Sequence, residues 1–150
     1  MKPPPPEIKE RDFSAFDVDK LLRGESAMSD AECEAVLNVV TRRVKALFRP
    51  ARADLDKDGE RAVKLLATVV PRCPTKRIMI TGHTDADGAA GYNQELSEQR
   101  AARVVEVLVG SGVERDQLSS QGFGEREPIA PNDSSANKAK NRRIEFVLGR

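Results

Sequence analysis

Residues 77–103, RIMITGHTDADGAAGYNQELSEQRAAR, change their hydrophobic period partway along, and that change decides the fold. Ile78 and Ile80 alternate with Met79 and Thr81, the two-residue period of a half-buried strand. The strand ends at Gly82, and HTDADG follows as a polar loop punctuated by Asp87-Gly88 and Gly91. Beyond Asn93 the apolar residues Ala101, Val104, Val105 and Leu108 recur at the spacing of an amphipathic helix. The stretch therefore reads as strand, loop and helix, with Asp85 at the strand's exit and Arg100 inside the helix.

At about 100° per residue, Arg100 lies roughly 90° from the centre of the apolar stripe, with Asn93 and Ser97 on its side of the helix. Its stem can pack at the border of the core while its head reaches over the helix N-terminus, where the Asp85 loop must lie. Taken alone, an acid and a base so placed fit either a surface ion pair of little energetic consequence or a binding site.

Upstream, MKPPPPEIKERD joins a proline run to mixed charge and reads as an extended, solvated linker. It lacks the apolar core and the cleavage site of a signal peptide. Phe13 to Leu22 carries apolar side chains, either a flap on the domain or the remains of an upstream one. Ser29-Asp30-Ala31-Glu32 is a capping box opening a helix with Val36, Leu37 and Val40 inward. Val44 to Phe48 suits a strand ended by Pro50, and a second helix starts near Asp56, buries Ala62, Leu65, Leu66 and Val69, and stops at Pro71. After the central unit come a turn at Gly110 and Gly112, a short strand over 118–122, a long polar loop over 128–140, and a last strand with Ile144, Phe146 and Leu148 on one face. Strands alternating with helices predict an α+β (α/β sandwich) fold on a mixed sheet.

The 150 residues suit one core, with 39% hydrophobic and 33% charged residues. A balance of 25 basic and 24 acidic residues gives no electrostatic case for nucleic acid or an anionic membrane. One Tyr and no Trp cannot build a single-strand stacking platform or a membrane aromatic belt, and no apolar run is long enough to span a bilayer. His83 is the only histidine, and its adjacent hydroxyl, Thr84, would point to the other face of a strand, so a nucleophilic triad has no parts. Asp85 and Asp87 could act as paired carboxylates or hold calcium, but the DADG run lacks the twelfth-position Glu of an EF-hand. The expectation is no enzyme, no metal and no cofactor, with His83 holding the loop by hydrogen bonds. Cys33 and Cys73 are too few for a structural zinc site even with His83, and by themselves read as two buried thiols.

The residues Gly82-His83-Thr84-Asp85, Gly88, Tyr92-Asn93, Leu96-Ser97 and Arg100-Ala101 resemble the core motif of OmpA-like peptidoglycan-binding domains of the OmpA C-terminal, Pal and MotB type. A second block, Gly122-Phe123-Gly124-Glu125, Pro128, Asn132 and Asn141-Arg142-Arg143-Ile144-Glu145, resembles the family's closing motif in the right order. The resemblance spans residues 44–148. It implies a mixed four-stranded sheet, with Val44 to Phe48 as its first strand. It divides the chain into a linker and N-terminal extension at 1–28 and an OmpA-like domain at 29–150.

The resemblance also implies a function: non-covalent anchoring of an envelope protein to peptidoglycan through the diaminopimelate of the stem peptide. That residue carries an amine and a carboxylate on one carbon, and such a zwitterion calls for a carboxylate beside a guanidinium fork. Asp85 matches the position that takes the amine, and Arg100 the one that takes the carboxylate. Asn93 matches a ligand hydrogen-bonding position, or else serves as the helix N-cap. Arg142 orients Asp85, touches the ligand or forms a plain ion pair, and Thr84 adds a hydroxyl or backbone N–H. The implied location is the periplasm or cell envelope, as an exported fragment of a larger membrane-anchored protein with no membrane insertion of its own. The competing reading is a module for protein interaction or dimerisation in the envelope. In two places the sequence departs from its relatives: Ala51-Arg52-Ala53 replaces a loop with an Asn or Ser near the ligand, and Asn137 stands where a glycine is usual, a substitution compatible with a left-handed turn. An oxidising envelope implies a Cys33–Cys73 disulfide. Mass spectrometry of oxidatively folded, non-reduced protein should therefore read two protons below the free-thiol mass, whereas two free thiols would remove the bond.

Overall fold

A computed structural model describes residues 6–75 and 77–149, so the first five residues of the proline-rich linker lie outside the described residues. Five helices and three strands follow in order: α1 (Val18–Arg23), α2 (Asp30–Arg43), α3 (Lys57–Val69), β1 (Ile78–His83), α4 (Ala90–Gly110), β2 (Leu118–Gly124), α5 (Ser135–Asn141) and β3 (Arg143–Leu148). The expected capping box forms, Ser29 Oγ accepting from Glu32 N and Glu32 from Ser29 N. Asp56 caps α3, and Pro71 stops it within a single 3₁₀ turn at Val70–Arg72. On α3, Ala62, Leu66 and Val69 face inward as expected, but Leu65 is exposed and the fully buried Val63 joins the stripe instead.

β1 runs parallel to β2 and antiparallel to β3, in the order β2–β1–β3. Ile78 and Ile80 of β1 join Ile144, Phe146 and Leu148 of β3 against Val36 and Leu37 of α2, Val63 and Leu66 of α3, and Val104 and Leu108 of α4. Two glycines let α4 lie directly on the strands. A Cβ at Gly82 would stand 2.2 Å from the Ser97 carbonyl oxygen, and one at Gly122 would stand 2.5 Å from Glu98 N.

Among the described residues the sheet has three strands, not four. After α2, residues 44–56 make one antiparallel bridge, Phe48 with Leu55, flanked by Arg49 N to Asp54 O and Asp56 N to Leu47 O. Leu47 and Phe48 are both buried, which strand alternation does not allow for a half-covered strand, and the Leu47 backbone is pressed against Gly59 of α3. The outer edge of β3 is meanwhile occupied. Asn38 of α2 accepts from Phe146 N at 2.9 Å and donates to Phe146 O at 2.9 Å, and Glu34 accepts from Leu148 N at 3.1 Å. Side chains of α2 thus make the ladder bonds that a fourth strand would have made.

Within 6–28, Val18 and Met28 enter the core, Phe16, Leu21 and Leu22 pack against it, and Lys9 N bonds Pro128 O, so the segment behaves as a flap on the domain. The polar loop expected over 128–140 contains α5, capped by Ser134, whose hydroxyl accepts from Asn137 N. Asn137 is therefore helical and not left-handed, since a helical turn replaces the expected glycine turn. Cys33 and Cys73 are joined, tying α2 to the end of α3, and closing a 40-residue separation stabilises by about 4 kcal/mol on the chain-entropy view.

Asn38→Ala should strand the buried N–H of Phe146, while its C=O keeps Arg11 Nη1 at 3.1 Å, and lower unfolding free energy by about 1–3 kcal/mol in urea titrations. A loss under half a kilocalorie would mean that β3 finds its edge partners elsewhere.

Candidate ligand-binding site

The chain leaves β1 at His83 and is fastened at once. Thr84 N donates to Gly124 O at 2.8 Å, and its hydroxyl donates to Asp85 O at 2.8 Å. Asp85 is buried. One of its carboxylate oxygens accepts from Asp87 N at 2.9 Å, and the other takes Arg142 Nη1 at 2.6 Å. Asn93 is not the N-cap of α4. Ala89 holds that position without a side-chain bond, and the Asn93 amide donates inward to Asp87 O at 2.9 Å and Asp85 O at 3.4 Å.

From the other side, α5 and the segment before it close on the same loop. Lys138 pairs with Asp87 at 3.1 Å, and Asn132 Oδ1 accepts from Ala86 N at 3.3 Å. Asn132 is set in turn by buried Asn141, which also accepts from Ile129 N and Ala130 N. These bonds, and not His83, hold the loop. His83 Nε2 instead meets Thr81 Oγ1 at 2.9 Å, and its ring stacks on Phe123 with centroids 5.5 Å apart. Burial, helped by Arg143 and opposed by Glu145, pushes the imidazole down to about 3, so it is neutral near pH 7.

Arg100 lies with Asn93 and Ser97 on one side of α4, and all three are buried. Its guanidinium carbon sits 4.9 Å from the centroid of Phe48, Nε donates to Arg52 O at 2.9 Å, and Nη2 reaches Arg49 O at 3.5 Å. Among the described residues Arg100 forms no ion pair, because the expected acidic neighbour, Asp85, is taken by Arg142. Burial pushes the Arg100 guanidinium below its usual range; Tyr92 and Asp85 oppose that shift and Arg142 adds to it. The loop that presents the two carbonyls holds Ala51 at φ +57, a left-handed conformation unusual for a residue with a Cβ, and Tyr92 Oη donates to Ala51 O.

A pocket of about 310 Å³ opens between these groups, walled by Phe48, Pro50, Ala51, His83, Arg100 and Arg142 among others. Of the residues singled out from sequence, Arg100 and Arg142 line it, Asp85 meets it through Arg142, and Thr84 and Asn93 hold the loop behind it. Sequence reading missed Phe48 as the seat of Arg100, and it missed Asn132, Asn141 and Lys138 as the loop's clamp. The signal for the clamp was present: Ser134 precedes a run of Ala and Lys that favours a helix.

An oriented carboxylate, a buried guanidinium without an ion pair among the described residues and a small pocket thus lie together. The chain belongs to the OmpA family, which matches residues 47–142. It is 36% identical over 114 residues to outer membrane porin F of Pseudomonas aeruginosa, covering 75% of this chain and 33% of that protein. It is 36% identical over 118 residues to the peptidoglycan-binding protein ArfA of Mycobacterium bovis, covering 79% of this chain and 36% of that protein. The chain thus spans about a third of the length of these curated relatives. The crystal structure of the periplasmic domain of Helicobacter pylori MotB superposes with a TM-score of 0.64 at 32% identity, covering 70% of this chain and 68% of that one. The family is one of non-enzymatic binding proteins, so the chain is not an enzyme. No helix among the described residues is long and apolar enough to cross a membrane.

The buried neutral His83 has a consequence for stability. Its pKa falls from the usual 6.5 to about 3 on folding, so between those values the unfolded chain holds one proton more than the folded one. Its contribution is therefore complete above about pH 6.5 and is lost as the pH falls toward 3, by up to about 1.4 kcal/mol per pH unit. His83→Gln should flatten the acid side of the stability curve measured by urea unfolding between about pH 6 and 4. Equal slopes for the two proteins would place the acid sensitivity elsewhere.

Proposed function

We propose that this domain binds peptidoglycan non-covalently, through the diaminopimelate of the stem peptide, and anchors an envelope protein to the cell wall. Arg100 carries the reading. It is a guanidinium 9% exposed, seated on Phe48 and bonded to carbonyls, with no carboxylate of the described chain in ion-pair reach. An unneutralised cation held away from water is unfavourable unless a ligand supplies the anion. The remaining donors of the planar fork suit a carboxylate. Asp85, oriented by Arg142 and Asp87 N, receives the ammonium on the same carbon of the ligand, while Thr84 and Asn93 position the loop that carries it. ArfA, named as a peptidoglycan-binding protein, supports the polymer as partner, and the MotB and porin relatives support an envelope location for an exported part of a longer, membrane-anchored protein. In this reading residues 29–150 form the binding domain and residues 1–28 the linker and extension.

Arg100→Ala and Asp85→Ala should each lose on the order of 2–5 kcal/mol of binding, enough to abolish co-sedimentation with insoluble diaminopimelate-type peptidoglycan. Arg100→Lys should fail as well, since an ammonium cannot form the planar fork. Thermal unfolding checks that each variant is folded. Folded alanine variants that co-sediment as well as the wild type would move the site elsewhere.

A further inference from the structure

The pocket beside Arg100 does not end there. A second pocket of about 320 Å³ shares Lys45, Ala46, Leu47, Ala139, Arg142 and Arg143 with it, so the two adjoin in one grooved face between the end of α2 and α5. The charges along this groove do not balance. Arg142 is neutralised by Asp85 at 2.6 Å, and Arg143 by Glu145 at 2.7 Å. Arg42 donates to Arg11 O and lies over the Phe13 ring. Lys45, in the wall common to both pockets, and Lys140, in the outer one, form no ion pair among the described residues. The only carboxylate in the walls is Glu10 at the outer end, and it too is unpaired among the described residues. Beyond Arg100 the walls therefore hold three further cations without an ion pair among the described residues: Arg42, which is held by the Arg11 carbonyl and the Phe13 ring, and Lys45 and Lys140, which are exposed to solvent.

We infer that Lys45 and Lys140 form a second carboxylate subsite, which engages another free carboxylate of the same stem peptide. This rests on the diaminopimelate reading above and extends it from one residue of the ligand to its neighbours. A stem peptide offers two such groups next to diaminopimelate: the α-carboxylate of the γ-linked glutamate on one side, and the C-terminal carboxylate on the other. Either lies within a few bonds of the diaminopimelate backbone, a distance suited to adjoining pockets. Both can be masked as carboxamides, which keep the shape and remove the charge. The subsite thus makes the domain a reader of stem-peptide amidation as well as of diaminopimelate. Because Lys45 and Lys140 are exposed, the preference weakens as ionic strength rises.

The test uses three synthetic tetrapeptides containing diaminopimelate: one with both carboxylates free, one with the glutamate α-carboxylate amidated, and one amidated at the C-terminus. Binding to the full chain is measured by calorimetry at low salt. The wild type should bind the free peptide about two- to fivefold more tightly than one of the amidated forms, the range expected for exposed charge pairs, and the weakened form identifies which carboxylate is read. The double variant Lys45→Gln/Lys140→Gln should bind all three peptides as the wild type binds that weakened form. Circular dichroism checks its fold, and Arg100→Ala should bind none of the three. Equal wild-type affinity for all three peptides would overturn the subsite while leaving diaminopimelate recognition standing. A preference that survives in the double variant would overturn its assignment to these lysines. No binding of any peptide by the wild type would sink both readings together.

Discussion

The structure depends on how closely α4 can approach the sheet. At Gly82 and Gly122 the strands have no side chain, and the Ser97–Glu98 backbone of α4 fills the space that a Cβ would need. Ser97 uses that proximity: its hydroxyl accepts from Gly124 N at 2.9 Å and donates to Gln94 O at 2.8 Å, sewing the end of β2 to the helix. Asn93 and Arg100 flank Ser97 on the same side of α4, so the contact that seats the helix also fixes where these two side chains emerge. A helix held farther off by alanines would carry Arg100 away from the carbonyls of Arg49 and Arg52.

The loop after β1 shows how a polar segment can be held rigid at the surface. Its backbone groups are matched by side chains from three directions: Asn93 from α4, Asn132 from the segment before α5, and Thr84 from the loop itself. Asp85 is therefore a buried carboxylate with both oxygens already oriented, by Arg142 and by Asp87 N. Arg100 is the counterpart on the other side of the pocket, a buried cation whose bonds go only to carbonyls and an aromatic face. The two charges are kept apart by giving Asp85 a partner of its own.

His83 sits in the same β1 terminus that leads to Asp85, yet its ring meets Thr81, Glu145 and Phe123, with Arg143 nearby. There it remains neutral in a cluster of buried polar groups and supports the strand ends rather than the loop.

Local patterns were enough for much of this. The two-residue period of 78–81 and the helical period beyond Asn93 gave the strand–loop–helix unit. The helical angles placed Asn93, Ser97 and Arg100 on one side, and Ser29-x-x-Glu32 fixed the start of α2. These features are legible because periodicity and capping act over a few residues along the chain. What remained hidden was decided between segments distant in sequence. That Asn38 and Glu34 would take the edge of β3, leaving three strands, depends on how α2 docks 108 residues upstream of its partner Phe146. That Asp85 would pair with Arg142 and not with Arg100 depends on α5 closing over the loop. That Phe48 would seat Arg100 depends on Leu47 and Phe48 turning under α3 and not joining the sheet. Hydrophobic pattern fixes which face of an element is buried, but the choice among competing hydrogen-bond and charge partners is made only when the packed elements bring them within reach.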